Sequence, residues 1–153
     1  MPNWCMNDAE VKHENPEMMA KFAEAWNAGG LLAVFHPQPD NIGEGWYDWR
    51  LANWGTKWDV GREKDEPQVE VVNNTLQLSF NSAWSPPTGG YEKLAELGFE
   101  IRAYYWEPGM CFAGSWSDGE DHCYDITEGT KGLPEDIDRA MGISENLDLW
   151  SQS

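Results

Sequence analysis

Three tight-turn signatures narrow the folding options of this chain more than any other feature: Asn73-Asn74, Pro108-Gly109 and Asp118-Gly119. Asn-Asn and Asp-Gly tolerate the positive φ of a two-residue hairpin turn, and Pro-Gly fits the two central positions of a type II turn. Residues 69–72 and 75–82 flank the first turn, 99–106 and 110–116 the second, and 121–126 follow the third. Short runs joined this way build an antiparallel sheet.

Helical signals lie around these hairpins. Asn15 is placed to cap a helix, Pro16 suits its first position, and Glu17 favours the positive end of the dipole. Met18, Phe22 and Ala25 form one stripe, Met19, Ala23 and Trp26 lie beside it, and Gly29-Gly30 supplies a stop. Tyr91, Leu94, Ala95 and Gly98 outline a second helix. Pro134 opens a last one, with Leu133, Ile137 and Met141 inward. Residues 4–13 read as a strand, and residues 31–35 are a short apolar run ending at His36-Pro37-Gln38-Pro39. The first six elements then follow a βαββαβ order, the ferredoxin-like pattern. The expectation is one α+β domain over residues 1–153, with an antiparallel sheet carrying its helices on one face. A tryptophan-rich insertion occupies about residues 37–66, with a helical turn around 46–51. An acidic C-terminal extension over about 117–153 carries the last hairpin and helix.

The 153 residues include 27 acids against 10 lysines and arginines, a net charge of -17, and ten tryptophans. Such a charge repels phosphate backbones and anionic lipid, which argues against direct nucleic-acid or membrane binding and favours a basic protein partner. An acidic surface that merely keeps the chain soluble is the plainer alternative. No run of about 18 apolar residues spans a membrane, and the first five residues lack the features of a signal peptide, so a cytoplasmic location is the expectation. The three cysteines, Cys5, Cys111 and Cys123, read as buried small hydrophobes.

Four segments carry a resemblance. They are Met1-Pro2-Asn3-Trp4-Cys5 with Asn7; Asn53-Trp54-Gly55-Thr56-Lys57-Trp58-Asp59-Val60; Ala83-Trp84-Ser85-Pro86-Pro87; and Glu107, Gly109, Phe112 and Gly114. Together they resemble the YubB and Api-like family of bacteriophage and conjugative-plasmid proteins, over most of residues 1–117. The first strand departs from the family's leucine- and glycine-containing pattern, and the tail beyond residue 117 carries none of its motifs. The resemblance implies a ferredoxin-like domain, an origin on mobile elements and hence a bacterial host cell, and no settled activity.

Lys57 and Asp59 share one side of an extended segment, which invites a catalytic role, yet such a pair ordinarily forms a solvated ion pair. Trp54 and Trp58 are better explained as packing the insertion onto the sheet. Cys5, Cys111, His122 and Cys123 match no zinc spacing, and a two-residue turn at Asp118-Gly119 sets Cys123 opposite Gly114 with Cys111 on the other face. No nucleophile elbow, Walker loop or dinucleotide fingerprint is present. Neither metal nor cofactor is expected.

From Asp118 to Asp148 ten acids face only Lys131 and Arg139. Glu135 and Asp138 are neighbours on one helix face. The favoured expectation is a non-enzymatic accessory protein that binds a basic nucleic-acid-handling host protein, such as a defence nuclease or CRISPR effector, and occupies its phosphate site as a DNA mimic. The contacts would come from Asp118, Glu120, Asp121, Glu128, Glu135, Asp136, Asp138 and Glu145. One alternative is a small-molecule or nucleotide module whose pocket is lined by Trp54, Lys57, Trp58, Trp84 and Arg102. Another is a carboxylate-dependent hydrolase, with Glu120 and Asp121 as an example of paired acids.

Overall fold

The computed structural model describes residues 3–151. Five strands, β1 (Trp4–Lys12), β2 (Thr75–Ala83), β3 (Glu100–Glu107), β4 (Phe112–Ser117) and β5 (Glu120–Asp125), form one antiparallel sheet in the order β2-β1-β3-β4-β5. Period-two alternation sets the faces. In β1, Cys5, Asn7, Ala9 and Val11 are buried while Met6, Asp8 and Glu10 between them are only partly covered. The first face is covered by α1 (Pro16–Asn27), α2 (Leu31–Phe35) and α4 (Thr88–Glu96). Met19, Phe22, Leu32, Leu94 and Trp116 are among its fully enclosed side chains. Asn15 caps α1 as expected, its side-chain oxygen accepting the Glu17 amide at 2.9 Å.

The sheet differs from the expected pattern at its start. Residues 69–72 are not a strand; only an isolated bridge joins Val72 to Thr75. The Asn73-Asn74 turn forms nonetheless, with φ of 52° and 58°. The Asn27 side chain ties this segment to α1 instead, accepting the Val69 amide at 2.8 Å and donating to its carbonyl at 3.1 Å.

Helices cover both faces, not one. A second core of Trp106, Ala113, Ile126, Ile137 and Ile143 lies on the opposite face. There α5 (Glu135–Met141) packs on β3 and β4. The single last helix expected is in fact two, α5 and α6 (Ile143–Ser151), parted at Gly142 with φ 63°. Sequence periodicity marks which side of a helix is apolar, but not which face of a sheet receives it.

The apolar run 31–35 is α2, and its cap comes from 27 residues away: Asp59 accepts the amides of Leu32 at 2.7 Å, Ala33 at 2.9 Å and Val60 at 2.7 Å. The helical turn expected around 46–51 extends to α3 (Trp46–Asn53). α4 starts at Thr88, before the residue 91 its stripe indicated. Gly89 and Gly90 lie inside it because a Cβ on Gly89 would strike Asn53 O and one on Gly90 would sit 2.5 Å from Leu32 Cδ2. Turn 108–111 also departs from expectation: the positive φ is at Cys111, 58°, not Gly109. Glu107, with no solvent exposure, organises the turn by accepting the amides of Gly109 at 2.6 Å and Met110 at 2.9 Å. No helix among the described residues is long and apolar enough to cross a membrane.

Candidate functional site

The tryptophan-rich insertion is organised around Arg50. Its guanidinium carbon lies 4.9 Å from the Trp46 ring centre, 4.8 Å from Trp54 and 5.9 Å from Trp58. It also donates from Nε to Gln38 Oε1 at 2.8 Å and from Nη1 to the Lys57 carbonyl at 3.2 Å. Three aromatic faces around one guanidinium form a cation–π cluster that holds the insertion. Lys57 lies over Tyr47 and Trp58, and buried Trp54 donates its indole N–H to the His36 carbonyl at 2.8 Å. Asp59 is not a solvated partner of Lys57 but the cap of α2. Burial raises its pKa, and the three amides it accepts draw it back down.

Of the five residues expected to line a ligand pocket, Trp54, Lys57 and Trp58 share this cluster, while Trp84 and Arg102 are placed elsewhere. Trp54 and Trp58 enclose Arg50. Trp84 lies just past β2, partly exposed, with φ 70°. Arg102 alternates with Ile101 and Ala103 of the first core, so it stands on the sheet face opposite Trp54.

The four motif segments meet at one end of the sheet, where Gly109 lies close against the Asn3 side chain. Trp84 N donates to Asn3 O at 2.8 Å, Thr56 Oγ1 to Ala83 O at 3.0 Å, and Ser85 Oγ to Gly55 O at 2.6 Å. Asn7 Nδ2 donates to Cys5 O and Ser82 Oγ, each at 2.9 Å. These contacts are structural: they tie the start of β1, the end of β2 and the insertion into one corner. Comparisons with known families, curated proteins and solved structures find no match.

The cysteines do not share one environment. Cys5 is fully buried, with its thiol pushed up to about 12 chiefly by burial; Cys111 is half-buried and Cys123 exposed. Cys123 does face Gly114 across β4 and β5. Among the described residues no three His, Cys, Asp or Glu side chains converge as a metal site.

The C-terminal acids divide by task. Asp118, Glu120, Asp121, Glu128, Glu135, Asp136 and Glu145 are exposed. Asp138 is half-buried and caps α6, accepting Ser144 N at 2.7 Å and Ser144 Oγ at 2.5 Å. Asp148 has its side chain outside the described residues. Glu135 meets Arg139 at 2.5 Å and Glu120 meets His122 at 3.3 Å, both in solvent. Asp118 and Gly119 form the expected hairpin turn, with φ of 52° and 81°. Other carboxylates are spread over the molecule, on α1, α4 and residues 63–66. The final quarter stands out through its shortage of cations.

Asp121 has a partner that sequence reasoning missed. Tyr105 Oη donates to Asp121 Oδ1 at 2.5 Å, and burial together with that carboxylate pushes the phenol pKa far up, so Tyr105 remains a donor. The bond crosses β4 at Gly114, where a Cβ would strike Tyr105 Oη and the His122 carbonyl. The signal was present in the register, since Gly114 lies between Tyr105 and Cys123. Ser85, Pro86, Thr88, Tyr105, Phe112, Asp121 and Cys123 line an open cavity of about 200 Å³ beside β5.

Proposed function

We propose that this chain is an acidic accessory protein that binds a basic, nucleic-acid-handling protein and occupies its phosphate-binding surface. The observation that carries this reading is the solvent-facing run of Asp118, Glu120 and Asp121 on the β4–β5 hairpin, continued by Glu128, Glu135 and Asp136. From Asp118 to Asp148 only Lys131 and Arg139 are lysine or arginine, and Arg139 is engaged by Glu135. A surface of this sign speeds encounter with positive protein and repels polyphosphate. The resemblance of residues 1–117 to phage and plasmid proteins makes host defence nucleases and CRISPR effectors the natural class of target. We likewise read the sheet as a ferredoxin-like arrangement in which the strand at 69–72 has shrunk to a bridge, while β4 and β5 lengthen the other edge.

The test is capture of partners by the tagged chain from bacterial cells, followed by affinity measurement on the purified pair. The Glu128→Gln, Glu135→Gln, Asp136→Asn variant leaves the cap Asp138 intact. Weaker, less salt-sensitive binding by this variant is expected; unchanged affinity contradicts the proposal.

A further inference from the structure

We infer that β5 is an open docking edge, and that it takes an extended basic segment of the partner as a sixth, antiparallel strand with an arginine or lysine in the cavity beside Asp121. The inference rests on the function proposed above and specifies how the partner is held.

The backbone supplies the first argument. Ile126 N donates to Cys111 O at 2.8 Å, so Cys111 and Ile126 are a hydrogen-bonded pair. The continuous register then makes Ala113–Tyr124, Ser115–His122 and Ser117–Glu120 hydrogen-bonded pairs as well. A two-residue turn closed by Ser117 and Glu120 requires the same phase. The N–H and C=O groups of Asp121, Cys123 and Asp125 therefore point away from β4, where the sheet order places no further strand among the described residues. The opposite edge differs: residues of 61–66 lie beside β2, sharing a cavity with Ser79, Phe80 and Asn81.

Side chains supply the second. Strand addition draws affinity from main-chain hydrogen bonds and specificity from pockets for alternate side chains. The cavity beside Asp121 and Cys123 offers such a pocket, walled by Pro86 and Phe112 for an alkyl stem. Tyr105 holds Asp121 Oδ1, and among the described residues no donor meets Oδ2. A carboxylate fixed by a tyrosine at the rim of a small apolar-walled recess suits a guanidinium or ammonium. On the other face Glu120 presents a second carboxylate. The row of acids along the edge, Asp118, Glu120, Asp121 and Asp125, disfavours pairing with a second copy of this chain, because like charges would face each other.

The full chain is titrated with an end-capped peptide alternating arginine and threonine, read by amide hydrogen exchange and calorimetry. Slowed exchange at the Asp121 and Cys123 amides is expected. Cys123→Pro removes an outward N–H without touching the β4 ladder, as proline is tolerated on edges. It should weaken the peptide at least about tenfold, and Asp121→Asn should do so about fivefold or more. Equal binding by a folded Cys123→Pro variant overturns the edge. If that variant fails to fold, unchanged exchange at Asp121 and Cys123 in the wild-type chain with peptide bound overturns it instead. A dimer formed through β5 also overturns it. Should a basic partner still bind with strong salt dependence in any of these cases, the proposed function stands and only the edge falls; binding to no basic protein removes both.

Discussion

Tyr105 reaches over Gly114 to donate its hydroxyl proton to Asp121, 2.5 Å away, joining β3 to β5 across the intervening strand. The bond exists because Gly114 has no side chain, which gives this motif glycine a physical reason. A Cβ there would meet both the Tyr105 hydroxyl and the backbone carbonyl of His122. Backbone cannot swing aside as a side-chain tip can. Gly114→Ala should destabilise the fold by about 1–3 kcal/mol through overpacking, measured by chemical denaturation. Tyr105→Phe, which only removes the hydroxyl, should cost about 1 kcal/mol.

Arg50 is the hub of the tryptophan insertion. Arg50→Met keeps most of the stem but loses the contacts to Trp46, Trp54 and Trp58 and the bonds to Gln38 and Lys57. A loss of about 2 kcal/mol is expected, with a changed tryptophan emission in the native state. Arg50→Lys should recover only part, since an ammonium lacks the planar fork.

Asp59 carries a pH signature. Burial, the leading cause, raises its pKa above the ordinary 3.8, so the folded state binds this proton more tightly than the unfolded chain. Its contribution is fully present below the unfolded value and is lost as pH rises through the folded one. Against Asp59→Asn, which cannot titrate, the wild-type stability advantage should shrink across that window in paired denaturation curves. Asp59→Ala, which removes the cap of α2 outright, should cost about 0.5–2 kcal/mol.

Two acids three residues apart should behave oppositely. Asp138→Ala breaks the cap on Ser144 and should lower stability by about 1 kcal/mol. Glu135→Gln loses only an exposed pair with Arg139 and should stay within about 0.5 kcal/mol of wild type. In partner binding the order reverses, with Glu135 the more sensitive position. Thermal unfolding and an affinity titration of both variants decide it.

Much of this architecture was written in local pattern. The alternation of β1, the Asn15-Pro16 start of α1, the Asn73-Asn74 and Asp118-Gly119 turns and the pairing of Gly114 with Cys123 all rest on neighbours close in sequence. What escaped depends on distant groups. Five apolar residues without a period do not announce a helix, and α2 needs Asp59 to cap it. Residues 69–72 look like a strand, yet they keep only a bridge to Thr75, and Val69 is held by Asn27 from α1. The charge row of the last quarter was legible as composition, whereas the task of each acid was not: Asp138 turned inward to hold α6, and Asp121 proved to be fixed by a tyrosine sixteen residues earlier. The Arg50 cluster gave no pattern beyond an abundance of tryptophan.

The most direct measurement is the affinity for a captured basic partner across a salt series, for the wild-type chain and for the Glu120→Gln, Asp121→Asn, Glu128→Gln, Glu135→Gln, Asp136→Asn variant. If carboxylates of the final quarter hold the partner, log affinity falls steeply with log salt in the wild type, and the variant binds more weakly with a flatter slope. Superimposable lines for the two proteins, or tight binding of the wild-type chain to nucleic acid itself, would contradict it.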